Sequence, residues 1–175
     1  SQVRICLNGI VHLLNPERPN DWGATDIASP PDLSSFELST SHVAIAVCCA
    51  DLCIRGRGWG SMAYCGWTVL PSGYATVIDF YNIGFASERY SSDPHLLSFQ
   101  LVLPSGEPNV IYLTYRPVDR PEYFVARNPT IGVQCPGLPP ARDGERYYNV
   151  TWRPSAGSFD ALRRIRFVIG KGTDP

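Results

Sequence analysis

Trp67-Thr-Val-Leu-Pro-Ser-Gly73 and Gln100-Leu-Val-Leu-Pro-Ser-Gly106 repeat one pattern, which decides the fold class of this chain. In each copy an apolar run meets Leu-Pro-Ser-Gly, and a second apolar run follows. Proline presets φ for the second position of a tight turn, and glycine readily takes the positive φ needed at its exit. The repeat therefore predicts two β-hairpins: Ala63–Leu70 with Tyr74–Tyr81, and Leu96–Leu103 with Asn109–Tyr115.

Short apolar segments continue this pattern on both sides of the repeat. Asn8-Gly9, flanked by apolar runs, is the strongest short-range signal for a hairpin. His42–Cys49 is apolar enough for a central strand that is buried on both faces. Further strands are predicted at Val3–Leu7, Ile10–Leu14, Phe36–Leu38, Tyr123–Ala126, Thr130–Gln134, Arg146–Trp152 and Arg163–Ile169. Alternation along the last of these predicts Ile165, Phe167 and Ile169 on one face and Arg164, Arg166 and Val168 on the other.

The predicted fold class is all-β, a single-domain antiparallel β-barrel or sandwich of about ten short strands that spans residues 1–175. The chain has 15 glycines and 16 prolines, which suits many strands joined by long Pro/Gly-rich loops. With 44% hydrophobic residues it can bury a core. The longest helix expected is one turn at Ser158–Leu162, capped by Ser158.

Charge and hydropathy exclude two classes of partner. The net charge is −1, so no field of the whole chain would hold nucleic acid or an anionic membrane. No run approaches the roughly 20 apolar residues of a membrane span. The chain begins at Ser1 without a signal-peptide pattern, and we expect a mature product or an excised segment.

Loop residues are the candidate binding site. Residues 15–35 form a long proline-rich loop with Trp22 in its middle, which either anchors the loop to the core or makes an exposed contact. Arg55-Gly-Arg-Gly-Trp-Gly60 places two arginines beside a tryptophan, a combination typical of binding hot spots. The predicted binding residues are Arg55, Arg57, Trp59, Trp22 and Tyr90. Binding should be lost when Trp59 or Arg57 is changed to alanine.

The six cysteines leave three interpretations open: free thiols, disulfides and a metal site. The spacings among Cys48, Cys49, Cys53 and Cys65 lack the Cys-x2-Cys pairs of structural zinc, so no metal is predicted. Asn149-Val-Thr151 is a glycosylation sequon, and it matters only if the chain is secreted.

Signatures of catalysis are missing from the sequence. It has no Gly-x-Ser-x-Gly elbow and no phosphate-binding glycine loop, so neither a catalytic residue nor a cofactor is predicted. Asp79 is the best single candidate for a hydrolase, although an outward-facing strand aspartate is the ordinary explanation. His12 and His42 lie in apolar strands and are expected to be structural, while a Cys–His pair stays an open alternative.

The chain resembles the projecting spike, or protrusion domain, of small non-enveloped RNA-virus capsids, astroviruses in particular. The resemblance lies in the start at Ser1-Gln-Val-Arg, the Leu-Pro-Ser-Gly hairpins, the proline-rich loops, the unpaired-looking cysteines and the stop at Gly170-Lys-Gly-Thr-Asp-Pro175. It implies a capsid surface domain of the virion that dimerises and binds a host receptor protein or glycan. No binding residue is carried over from it.

The leading hypothesis is therefore a non-enzymatic recognition and attachment domain on a virion surface. The first alternative is a secreted, disulfide-bonded, lectin-like carbohydrate-binding domain with a glycan at Asn149. The second is a small hydrolase that uses Asp79 or a Cys–His pair.

Overall fold

The described residues form two antiparallel sheets that curl into a half-barrel, which confirms the predicted all-β fold class. The computed structural model describes residues 2–14, 43–54, 60–136, 147–152 and 162–168. The strands of these ranges are β1 (Gln2–Cys6), β2 (Ile10–Leu14), β3 (Val43–Cys49), β4 (Leu52–Cys53), β5 (Met62–Leu70), β6 (Gly73–Phe85), β7 (Leu96–Pro104), β8 (Val110–Tyr115), β9 (Thr130–Pro136), β10 (Tyr147–Trp152) and β11 (Arg163–Val168).

The first sheet has the order β1-β2-β3-β9-β10. The second has the order β11-β8-β7-β6, and the far edge of the long strand β6 carries both β5 and the short β4. Strands β5 to β8 are consecutive hairpins, so the two hairpins predicted from the Leu-Pro-Ser-Gly repeat are confirmed as neighbours in one meander.

Alternate residues of the second sheet face the first sheet and form the core. Phe80 and Phe99 lie opposite each other on β6 and β7, with their rings stacked at 4.7 Å between centroids. They pack with Ile45 and Val47 of β3 in one buried cluster. The hydroxyl of Tyr115 donates to the carbonyl of Val47, which joins the two sheets by a buried hydrogen bond.

The predicted central strand is confirmed as β3, and both of its faces are buried. Ile45 and Val47 belong to the main core, whereas Ala44, Ala46 and Cys49 belong to a second buried cluster. The pairing of β3 with β9 shifts register between Ala46 and Cys49, as a β-bulge does.

The turn of the first hairpin packs against this bulge. Its loop is Leu7-Asn8-Gly9, since Cys6 pairs with Ile10. The Gly9 carbonyl accepts hydrogen bonds from the amides of Val47 and Cys48, at 2.9 and 3.2 Å. Gly9 has φ of 75°, and a Cβ built on it would lie 2.2 Å from the Cys48 carbonyl oxygen. Only glycine fits this position without backbone movement.

The two Leu-Pro-Ser-Gly turns lie side by side at one end of the second sheet. The Ser105 amide donates to the Tyr74 carbonyl at 2.7 Å. A Cβ on Gly106 would come within 2.1 Å of the Ser72 carbonyl oxygen. The repeated sequence therefore forms one joint, which we call the turn pair, Pro71–Gly73 with Ser105–Gly106.

One predicted strand, Tyr123–Ala126, is wrong. The structure has a short helix there, α1 (Pro121–Ala126). Pro121 at the helix start supplies a helical φ and needs no amide partner, and Glu122 suits the positive end of the helix dipole. These end signals prevail over the aromatic and β-branched residues that favour a strand.

Like the predicted loop of residues 15–35, two predicted elements lie outside the described residues. They are the strand Phe36–Leu38 and all but the last residue of the helical turn at Ser158–Leu162. Among the described helices none is long and apolar enough to cross a bilayer.

Buried thiols should make the free energy of unfolding fall at alkaline pH. Burial raises the pKa of Cys49 to about 12 from an ordinary value near 9, with a smaller contribution from Cys6. Burial also raises the pKa of Cys48 and of the Tyr115 hydroxyl. Unfolded thiols ionise above about pH 9 while the folded ones stay protonated, so the stabilisation is complete below that pH and is lost as pH rises toward 12.

Above about pH 9, each of these buried thiols should lower the free energy of unfolding by about 1.4 kcal/mol per pH unit until it ionises in the folded protein. This is checked by urea unfolding of the wild type and of Cys49→Ala at pH values from about 7 to about 11, a range that lies below the raised Cys49 pKa of about 12. The variant should start less stable and should show a shallower decline. Parallel declines in the two proteins would contradict the assignment.

Candidate ligand-binding groove

The face of the second sheet that points away from the core forms a groove of 660 Å³. Residues of β5 and of β11 both line it, although three strands separate them. In a flat sheet these strands would lie about 19 Å apart, so the sheet must curve around the groove. Curvature thus turns the outer face into a concave site.

A buried carboxylate lies beneath one wall of the groove. Asp79 of β6 is only 8% exposed, and it pairs in register with both Tyr64 and Gln100. The Tyr64 hydroxyl donates to its Oδ2 at 3.0 Å, and the Gln100 side-chain amide approaches the same oxygen at 3.4 Å. Hydrogen bonding to this carboxylate raises the pKa of Tyr64. Asp79 therefore holds the ring of Tyr64 in place.

A smaller cavity of 200 Å³, lined in part by Asp79, adjoins the groove at Gln100. Thr114 and Arg116 also line it. Within the described part of the chain the buried hydroxyl of Thr114 has no hydrogen-bond partner. A buried hydroxyl without a partner costs free energy, so this cavity suits a polar group of a ligand or a bound water.

The opposite wall of the groove carries Glu107, Tyr112 and Arg164. The Tyr112 hydroxyl donates to Glu107 Oε2 at 3.1 Å, and Arg166 Nη2 lies 3.7 Å from the same oxygen. Glu107 directly follows the turn pair, so this joint positions the carboxylate at the end of the groove.

The groove thus presents two tyrosine rings, an amide, a carboxylate and a guanidinium. Its volume falls in the range of about 300–1,000 Å³ that is usual for ligand sites. Aromatic faces pack on apolar C–H surfaces, while the planar polar groups hydrogen-bond to hydroxyls and carbonyls. The arrangement suits a ligand with many hydroxyl groups and some apolar faces.

Most binding residues predicted from the sequence lie outside the described residues. These are Trp22, Arg55, Arg57 and Trp59. Tyr90 is described and is 91% exposed, with the Arg89 guanidinium 5.8 Å from its ring centroid. It follows the end of β6 that lies away from the turn pair, so the structure does not bring it into the groove. Asn149 lies on β10 opposite Gln134.

The sequence singled out two parts of this region, although not as parts of a groove, and missed the rest. It singled out Asp79 as an outward-facing strand residue and a hydrolase candidate; Asp79 lies opposite the groove residues Tyr64 and Gln100, and its carboxylate is buried under Tyr64. It placed Arg164 and Arg166 on the face of the last strand opposite Ile165 and Phe167, which is confirmed by their exposure. Tyr64, Gln100 and Tyr112 were missed, although alternation along the predicted strands puts them on the outer face.

His12 and His95 are the histidines that the structure describes, whereas His42 lies outside the described residues. His12 is buried within β2, as predicted for a structural histidine. His95 Nδ1 lies 2.7 Å from Glu88 Oε1, and its Nε2 lies 3.2 Å from Arg120 Nη1. Since arginine only donates, Nε2 accepts and the Nδ1 proton is directed at Glu88. This cluster fastens the start of α1 to the β6–β7 connection.

Five cysteines have described side chains. Cys6, Cys48, Cys49 and Cys65 are free thiols, and the Cys53 thiol donates to the Phe85 carbonyl at 3.5 Å. Among the described residues no group of three or more His, Cys, Asp and Glu side chains is arranged to hold a metal ion.

Comparison of the chain with protein-family models, curated proteins and solved structures found no match. The fold and site define an all-β, two-sheet domain with a concave polar and aromatic groove on one sheet.

Proposed function

We propose that this chain is a non-enzymatic recognition domain that binds a glycan in the groove of its second sheet. The observation that carries the proposal is that two tyrosine rings lie on facing walls of one 660 Å³ groove. The Tyr64 hydroxyl is hydrogen-bonded to Asp79, and the Tyr112 hydroxyl is hydrogen-bonded to Glu107. Rings held in place by hydrogen bonds bind with little loss of side-chain entropy. The attachment role on a virion surface is part of this proposal and is supported by the sequence resemblance alone.

Charge supports a glycan over nucleic acid. The groove and its adjoining cavity combine Asp79 and Glu107 with Arg116 and Arg164, so the two signs are balanced. A nucleic-acid surface needs an excess of cations along the backbone path. A hydroxyl-rich ligand needs both donors and acceptors, which this set supplies.

Tyr112→Ala should weaken glycan binding roughly tenfold to hundredfold, because it removes an aromatic wall of the groove. Tyr64→Phe should weaken it less, since the ring stays while its hydrogen bond to Asp79 is lost. Binding is measured first on a glycan array and then by calorimetry with the best ligand. Tyr90→Ala is the matched control, because it removes an exposed tyrosine outside the groove.

The same assay shows whether the ligand binds in the groove or at the loop Arg55–Gly60, which was predicted from the sequence. If Arg57→Ala or Trp59→Ala abolishes binding while Tyr112→Ala does not, the groove assignment is wrong. If no glycan binds and a receptor protein is captured instead, with Tyr112→Ala still disruptive, the ligand class is wrong and the groove stands.

A further inference from the structure

Five polar side chains form one row across the outer face of the second sheet. The strand pairings place them opposite one another in the order Tyr64, Asp79, Gln100, Thr114 and Arg164. Residues directly opposite on neighbouring antiparallel strands bring their Cβ atoms to about 5 Å on the same face. Polar groups therefore neighbour one another from β5, across β6, β7 and β8, to β11.

The adjacent row is apolar and forms the floor of the groove. Gly66, Val77 and Val102 lie opposite one another on β5, β6 and β7, and all three line the groove. A sugar ring has an apolar C–H face and a polar edge. With the face on this floor, the edge is directed at the polar row.

The β5 half of the polar row is satisfied within the protein, whereas the β8–β11 half is not. Asp79 accepts from the Tyr64 hydroxyl and from the Gln100 side-chain amide. The Thr114 hydroxyl is buried without a hydrogen-bond partner in the described part of the chain. Its neighbour Arg164 is exposed, and no described carboxylate forms an ion pair with it.

A second guanidinium reaches Thr114 from its own strand. Arg116 lies two residues after Thr114, so both side chains are on the same face, and both line the 200 Å³ cavity. The Arg116 guanidinium lies 5.3 Å from the ring centroid of Tyr81. This cation–π contact positions the guanidinium and leaves its charge in place. Two cations thus adjoin the buried hydroxyl, and Asp79 is the one carboxylate beside them.

We propose that Thr114, Arg116 and Arg164 form a subsite for the carboxylate of an acidic sugar, so that the groove prefers an acidic glycan over a neutral one. The subsite rests on the proposed function and names its ligand class more closely. Guanidiniums only donate hydrogen bonds, and the threonine hydroxyl can donate as well, so a carboxylate meets donors on each side. Charge-assisted hydrogen bonds of this kind are roughly twice as strong as neutral ones.

The other carboxylate of the groove sets the direction of the ligand. Glu107 accepts from Tyr112 at 3.1 Å and lies 3.7 Å from the Arg166 guanidinium. Tyr112 is two residues from Thr114, about 7 Å along β8. Charge is thus balanced over the whole groove but not within it. The acidic end of the ligand lies over Thr114, and its neutral part extends toward the turn pair.

The test compares acidic oligosaccharides with their own reduced forms. A panel that ends in hexuronic or sialic acid is printed beside the same panel with each carboxyl reduced to the primary alcohol, and the best pair is measured by calorimetry. The wild type should bind the acid at least about tenfold more tightly than the alcohol. Thr114→Val, which keeps the shape without the hydroxyl, and Arg164→Gln should each reduce this preference to about threefold or less.

Arg89→Gln is the matched control, because it removes an exposed positive charge beside Tyr90, outside the groove. It should keep the full preference for the acid. Thr114→Val should melt no lower than the wild type, since it removes a buried hydroxyl that lacks a partner. Arg164→Gln changes an exposed side chain, so it carries the test even if Thr114→Val does not fold.

Equal binding of acid and alcohol by the wild type overturns the subsite and leaves the glycan proposal standing. A preference for the acid that persists in both Thr114→Val and Arg164→Gln places the carboxylate elsewhere and also overturns the subsite. Thr114 then holds a water at most. Absence of binding to either form overturns the subsite and the glycan proposal together.

Discussion

Gly9→Ala should cost the protein about 4 kcal/mol or more of unfolding free energy, enough to leave much of it unfolded. Two penalties combine at this position. A non-glycine residue at φ of 75° costs about 1–2 kcal/mol. A Cβ 2.2 Å from the Cys48 carbonyl oxygen cannot be accommodated by rotating a side chain, since the neighbour is backbone. Typical domains have only about 5–15 kcal/mol of stability in total.

The clash acts on the centre of the fold. The Gly9 carbonyl accepts from both amides of the β3 bulge, and the Asn8 carbonyl accepts from Ala50 at 3.3 Å. Moving the turn would therefore release the bulge, which also bears the Val47 carbonyl bonded by Tyr115. Both sheets of the Gly9→Ala variant should therefore lose stability together and unfold in a single transition.

Gly60→Ala is the control that isolates the backbone penalty. Gly60 has φ of 63°, but nothing lies within 4 Å of a Cβ placed there. It should lose only about 1–2 kcal/mol. The measurement is urea unfolding followed by circular dichroism. Equal losses for Gly9→Ala and Gly60→Ala would show that the contact with Cys48 is unimportant.

Gly106→Ala should separate the turn pair and lower the unfolding free energy by about 1–3 kcal/mol, as overpacking does. Its Cβ would lie 2.1 Å from the Ser72 carbonyl oxygen, although its φ is not positive. The adjacent Glu107 should shift with the turn and weaken its contact with Tyr112. Glycan binding should then fall together with stability.

Gly66→Ala is the matched control for this variant, because its Cβ meets nothing within 4 Å and its φ is also not positive. Its stability should stay within about 1 kcal/mol of wild type. If Gly106→Ala unfolds at the same urea concentration as Gly66→Ala, the two turns do not form a tight joint.

Local patterns predicted the strands well because each depends on neighbouring residues. Proline and glycine in the Leu-Pro-Ser-Gly repeat mark where β5 and β7 end, and alternation in Arg163–Ile169 assigned the faces of β11. The same logic failed at Pro121–Ala126, where signals at the helix ends outweighed residue propensities.

The groove could not be predicted in the same way. Its walls come from strands that are distant in sequence, with Tyr64 on β5 and Arg164 on β11. They meet only because β11 pairs with β8 and the sheet curves. The sequence shows which residues point outward, but neither strand order nor curvature, so it directed attention to aromatic residues in loops.

The meander of the second sheet has a consequence for how the chain reaches its fold. Its hairpins β5–β6 and β7–β8 close over short turns, whereas β3 must find β9, with Cys49 opposite Thr130. Closing that long loop costs about 3 kcal/mol more in chain entropy than closing a tight turn. Sheets built from local pairs also form faster than those built from distant ones. The β5–β8 meander can therefore serve as the template on which the more distant strands assemble. Tyr64 and Tyr112 of the groove belong to this template, whereas Arg164 joins them only when β11 pairs with β8.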